Sequence, residues 1–312
     1  MSHTLLSPPP VLEPTKPLSQ AILETLAYSD IFDYPLTLDE LHKYLTIFAT
    51  KEEIENHIPK VKHVGFKDGY YFIENRAEIV EIRKARSAKS RQALKRALLY
   101  GKILGRLPFV RMVAVTGSLA VLNLSKLADM DYMLVTQPKR LWLARACAVT
   151  FGRLMRVFGD KICVNLLVSE NALLWSLHDL YSAREMCQMI PVAGFETYTR
   201  LRAANLWVNN ILPNASLESN NFQASSQEKQ SLTQKALEFL FKGKLGDFIE
   251  SWAMKLQLNH IFATYGRGLE ANFSADICQG NFHDHRKRAG KVFSERLHSL
   301  SLWERERGRG EG

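Results

Sequence analysis

The spacing of apolar positions divides the chain into helical and extended stretches. From Leu18 onward, Ile22, Leu23, Leu26 and Ala27 recur as one face of a helix. After a turn at Asp33-Tyr34-Pro35, Thr37 stands ahead of Asp39 and Glu40 as an N-cap and opens a helix carrying Leu38, Leu41 and Leu45. Thr50, followed by Glu52 and Glu53, caps a short helix from Lys51 to Ile58. Two short extended runs around Asp68-Gly69, ending at Ile73, predict a hairpin. A long charged helix is predicted from Arg76 to about Gly105, then a strand from Arg111 to Thr116 that ends at Gly117. A short helical link leads to a second strand, Asp129 to Thr136. A helix opened by Pro138 runs to about Phe158, and a third strand covers Lys161 to Val168. Helices follow near 179–189 and 195–211, and helical spacing returns at 228–262 and 285–300.

These patterns predict an α+β chain with a small mixed sheet and seven segments: a polar N-terminus (1–16), a first folded unit (17–75), a linking basic helix (76–105), a central core (106–212), a linker (213–227), a C-terminal helical region (228–300) and a polar tail (301–312). Three helices followed by a hairpin resemble a winged helix-turn-helix domain. Its recognition-helix position, Lys51 to Ile58, carries three glutamates and one lysine, which phosphates would repel. Packing on the core or on a protein partner is therefore favoured over sequence-specific DNA reading.

Composition narrows the classes. With 46% hydrophobic and 23% charged residues, the chain can bury a core without disulfides. Its four scattered cysteines read as buried thiols in a reducing compartment. The N-terminus has no secretory pattern, and arginines interrupt the most apolar helix, Leu141 to Phe158, so no membrane span and a cytoplasmic location are expected. The net charge of +9 favours polyanionic or phosphorylated partners in a general way.

The candidate chemistry lies between the first two central strands. Gly117 permits a sharp bend, and Ser118 opens a helical turn with free N–H groups. Asp129 and Asp131 alternate with Met130 on a strand, so both acids share one face, about 7 Å apart, while Met130 points into the core. Two such carboxylates suit Mg²⁺, with water and phosphate completing its shell. Val115-Thr116-Gly117-Ser118 followed by Asp129-Met130-Asp131-Tyr132 resembles the motif of the polymerase β superfamily of nucleotidyltransferases, over roughly residues 95–170. The resemblance implies metal ligation (Mg²⁺, or Mn²⁺) by Asp129 and Asp131, and binding of an NTP's phosphates by Gly117 and Ser118. It also implies transfer of a nucleoside monophosphate to an unknown hydroxyl acceptor.

The third acid of that motif is missing from its expected strand, where Asn165 is the polar inward candidate. An amide can orient an acceptor but cannot take its proton near neutral pH. Asp160 and Glu170, at the strand's two ends, are possible substitutes, and Ser182-Ala183-Arg184-Glu185 matches a helix seen in some winged-helix proteins of this kind. Lys126, Lys139 and Arg140 flank the motif strands, with Lys139 and Arg140 as candidate nucleotide contacts. A basic stretch at 83–96, with Lys84, Arg91 and Lys95 on one helix face, is a candidate nucleic-acid contact or a solvated linking helix. His283-Asp284-His285 reads as a helix start with ordinary histidines. Two functions stay open: a Mg²⁺-dependent nucleotidyltransferase, or a nucleotide- or nucleic-acid-binding regulator that kept the fold and lost catalysis.

Overall fold

The computed structural model describes residues 16–125, 129–215, 232–266, 271–280 and 285–308. The chain begins with helices α1 (Leu18–Asp30), α2 (Leu38–Tyr44) and α3 (Lys51–His57), a 3₁₀ turn (Ile58–Lys60), and the antiparallel hairpin of β1 (Val64–Lys67) and β2 (Tyr70–Ile73). Both caps form as reciprocal pairs. The Thr37 hydroxyl accepts from the Glu40 N–H at 3.3 Å, and the Thr37 N–H donates to the Glu40 carboxylate at 3.0 Å. Thr50 and Glu53 repeat the arrangement.

The 27-residue α4 (Glu78–Leu104) leads to a six-stranded mixed sheet. Its strands are β3 (Val110–Val115), β4 (Met130–Thr136), β5 (Ile162–Ser169), β6 (Ile190–Ala193), β7 (Asn272–Phe273) and β8 (Ile277–Gln279), in the order β6-β3-β4-β5-β8-β7. Only the β4–β5 pair is parallel, and α6 (Leu141–Arg156) is its crossover. The one-turn α5 (Gly117–Ala120) follows β3. α7 (Leu180–Gln188) precedes β6, and α8 (Phe195–Ala204) and α9 (Val208–Ile211) follow it. The C-terminal helices are α10 (Leu232–Leu240), α11 (Lys244–Tyr265) and α12 (His285–Gly308).

Strand alternation sends side chains to two cores. Met112, Ala114, Met133, Val135 and Val168 pack with α7, α8, α9 and the N-terminal helices. Val113, Val115, Met130, Tyr132 and Leu134 pack with α4, α6 and α11 on the opposite face. The N-terminal helices therefore share a core with the sheet. Arg184 of α7 reaches into them, sandwiched between the Tyr28 ring at 4.6 Å and the Tyr44 ring at 4.3 Å, and donates to the Ser29 hydroxyl at 2.9 Å.

Several sequence expectations need correction. The helix expected at 195–211 is two helices, and the one at 228–262 breaks at Gly243, whose φ of 78° ends the helical path. β6, β7 and β8 went unpredicted because they are two to four residues long and show no alternation that stands out alone. Pro191 lies in β6, where an edge strand tolerates its missing N–H. α12 runs to Gly308, past the start of the expected tail at 301. Its Glu and Arg residues are good helix formers, and extending a helix costs far less than nucleating one. The expected linker begins with a fastened residue: buried Asn214 donates to the Ile47 carbonyl at 2.9 Å and accepts from the Ala49 N–H. The rest of that linker, from residue 216, lies outside the described residues, as do residues 1–15, 309–312, Lys126, His283 and Asp284. Among the described residues, no helix is long and apolar enough to cross a membrane.

Candidate functional site

The site forms where β3 ends beside the start of β4. The Thr116 N–H donates to the Asp131 carbonyl at 2.9 Å, and the chain then bends at Gly117, whose φ is 63°. A β-carbon at Gly117 would lie 2.7 Å from an Asp131 carboxylate oxygen, so both the conformation and the space require glycine. Ser118 follows within α5, and its carbonyl accepts from the Asn123 N–H at 2.8 Å. Met130 is buried in the α4/α6 core, while Asp131 points the other way. Asp129 stands half-exposed just ahead of the strand, with the Lys161 ammonium 4.0 Å from its carboxylate.

Asp131 is a strongly perturbed acid of the cluster. Burial, then repulsion from Glu185, then repulsion from Asp129, push its pKa up to about 7, and a hydrogen bond with the Cys163 thiol offsets only part of this. Cys163 sits opposite Asp131 in the parallel β4–β5 register. Burial and the neighbouring acids push that thiol up to about 12, so it stays protonated and donates.

Glu185 enters from α7. Its carboxylate accepts from the Gly117 N–H and from the Gln188 amide at 3.3 Å, and burial raises its pKa. A helix about 20 residues beyond Asn165 thus brings a further acid to the Gly117 bend. Asp160 and Glu170 are committed elsewhere: Asp160 takes two donors of Arg96 and the Tyr100 hydroxyl, and Glu170 pairs with Arg200 at 2.7 Å. The one sequence signal for Glu185 was its place in the Ser182–Glu185 pattern, which says nothing of which strand α7 packs against.

Asn165 occupies a bulge. Val164 pairs with Tyr132 and Leu166 with Met133, so Asn165 is the extra residue between two registers. It lines a cavity of about 340 Å³ together with Thr116 and Glu185. The cavity continues beneath the segment carrying Trp175 and reaches α12 at Arg286. The Thr116 hydroxyl and the Trp175 indole N–H are buried without a hydrogen-bond partner among the described residues.

Lys139 and Arg140 do not join this cluster. They lie past the far end of β4, whose seven residues span roughly 20 Å. Arg140 is buried there, bonded to Asp247 at 2.7 Å and to the Phe241 carbonyl. It ties the sheet to the C-terminal helices and is not available to a nucleotide at Gly117. In the basic stretch of α4, Arg83 grips Glu40 with two 2.7 Å bonds, Lys84 pairs with Asp68, Arg86 with Asp33 and Arg96 with Asp160. Lys89, Arg91 and Lys95 remain exposed, which shortens the stripe that polyanions could meet.

The donor chemistry fits Mg²⁺, a hard cation that takes one or two protein carboxylates and fills its shell with water and phosphate. The three largest perturbations on Asp131 all penalise its charged form, a penalty that a divalent cation beside it would reverse. Among the described residues, no group of three or more His, Cys, Asp or Glu side chains is gathered to hold a metal ion, so the fit is to a two-carboxylate site. Comparison with protein-family models, curated proteins and solved structures finds no match for this chain.

Proposed function

We propose that the chain is a Mg²⁺-dependent nucleotidyltransferase, moving a nucleoside monophosphate from an NTP to a hydroxyl acceptor. The observation that carries this reading is Glu185, an acid that α7 delivers to the same glycine bend as Asp131. It supplies the proton-accepting group that Asn165 cannot.

In this reading Asp129 and Asp131 hold the cation, which, when bound, neutralises charge on the transferring and leaving phosphates. Gly117 and Ser118 leave room for the phosphates at the bend, and Lys161 adds a cation beside Asp129. The acceptor oxygen forms a bond to the α-phosphorus as the bond to the bridging oxygen breaks. Pyrophosphate leaves with that electron pair, and the hydroxyl proton passes to Glu185. The Gly117 N–H holds the Glu185 carboxylate in place, and two further lone pairs remain for the proton. The first three helices and the hairpin are a winged-helix-like unit serving to pack, not to read DNA: α1 and α2 are buried in the shared core, and the exposed side of α3 carries Glu52, Glu53 and Glu55.

The test is incubation with each labelled NTP and Mg²⁺ or Mn²⁺, comparing wild type with Asp129→Ala/Asp131→Ala and with Glu185→Gln. Label should enter the protein or a copurified acceptor. The double variant should abolish it, and Glu185→Gln should slow it by about 10²–10⁴ with NTP affinity kept. Equal incorporation in all three proteins would overturn the mechanism. NTP binding without incorporation would instead leave a regulator that has lost turnover.

A further inference from the structure

The cavity beside Glu185 has features that the phosphate chemistry does not use. At about 340 Å³ it lies at the lower end of small-molecule sites, large enough for one or two rings. Its wall is mixed: Leu166, Val168 and Ile277 give it an apolar side, Trp175 an aromatic one, and Asn165 and Gln279 offer amides. Thr116 and Trp175 also line it, and the Thr116 hydroxyl and Trp175 indole N–H are buried behind that lining with no partner among the described residues.

The charges on the wall select further. Among the described residues its one guanidinium, Arg286, is held by Asp179 at 2.8 Å. Glu185 is the one acid among the described lining residues, and it already takes the Gly117 N–H and the Gln188 amide. A phosphorylated ligand would meet a carboxylate and a cation already paired. An ammonium ligand would find no second acid among the described lining residues. The lining therefore suits an uncharged molecule with a planar apolar body and polar ends.

We propose that this cavity is the acceptor site, and that it takes a small neutral alcohol whose ring lies against Trp175 and whose hydroxyl reaches Glu185. The assignment rests on the transferase reading above. It goes beyond it by naming the acceptor class: a free small molecule, in place of a nucleic-acid end or a protein side chain. The transferred group would join that hydroxyl oxygen, pyrophosphate would leave, and Glu185 would receive the proton.

Binding can be measured without NTP or metal, on the full chain, by calorimetry and thermal shift. The probes are phenyl β-glucoside as the neutral alcohol, phenyl phosphate as the anion, phenethylamine as the cation and adenosine as the nucleoside. Phenyl β-glucoside should bind and raise the melting temperature. Ser176→Trp, which fills the cavity from an exposed position, and Gln279→Leu, which removes an amide, should each weaken it at least tenfold. The proposal is overturned if no neutral probe binds, if Ser176→Trp binds as well as wild type, or if a charged probe is preferred. Probe binding with no incorporation from any NTP would instead sink the transferase reading and leave a ligand cavity. Unchanged incorporation in Ser176→Trp would sink the acceptor assignment alone.

Discussion

Asp131 sets the residue-scale energetics of the site. Its carboxyl is buried against Glu185 and Asp129, and its pKa is raised to about 7. The folded protein therefore holds a proton there more tightly than the unfolded chain does. The stability tied to this group is fully present below pH 4 and is lost as pH rises through 7, at up to about 1.4 kcal/mol per pH unit. Asn at this position cannot ionise. In urea titrations with EDTA, Asp131→Asn and wild type should differ little below pH 4, and the variant should become progressively the more stable as pH rises to 7.5. Parallel stability curves for the two proteins across this range would show that Asp131 carries no such penalty. The repulsion that costs the metal-free fold stability is the one that the proposed cation would remove.

At the scale of elements, tertiary contacts complete what local sequence leaves open. α6 begins at Leu141 with no side-chain cap of its own. Glu250 of α11 supplies one: its two carboxylate oxygens accept from the Trp142 N–H at 2.7 Å and the Leu143 N–H at 2.9 Å. Those donors would otherwise be orphaned at a helix N-terminus beside the core. Glu250→Ala should lower unfolding free energy by about 2–3 kcal/mol, with Glu250→Gln retaining part of it, measured by chemical denaturation. An alanine variant as stable as wild type would mean that water caps α6 equally well. α7 shows the same dependence. Its adjacent residues Arg184 and Glu185 face opposite ways, one clamped by Tyr28 and Tyr44 and the other at the Gly117 bend. The N-terminal helices thus hold the element that brings Glu185 to the Gly117 bend.

At the scale of the whole molecule, one hydrophobic cluster joins α1 and α2 to the sheet face and to α7, α8 and α9. Arg83, at the base of α4, is locked to Glu40 of α2 and stacked on Tyr34 at 4.1 Å. Burial pushes the Glu40 pKa up, but its bonds with Arg83 and Tyr34 leave it below the usual carboxylate range. A shared core of this kind leaves no seam along which the N-terminal unit could unfold alone. Urea unfolding followed by tryptophan fluorescence and by far-ultraviolet circular dichroism should give one coincident transition. Two separated transitions would mean that the N-terminal unit is energetically independent.

Legibility in the sequence followed the range of the interactions. The caps at Thr37 and Thr50, the bend at Gly117, the opposed faces of Met130 and Asp131 and the long α4 could be read directly, because each depends on residues within about four positions. β6, β7 and β8 could not be read, since they exist by pairing with distant strands. Arg140 looked like a phosphate contact because it follows the motif closely in sequence, yet seven residues of extended strand carry it away to Asp247. Glu185 became a site residue only once α7 packed across the sheet. Local sequence set the bend at Gly117 and the opposed faces of Met130 and Asp131, through backbone conformation and strand alternation. The packing of α7 across the sheet brought Glu185 to that bend and opened the cavity beside it, through contacts between residues tens of positions apart.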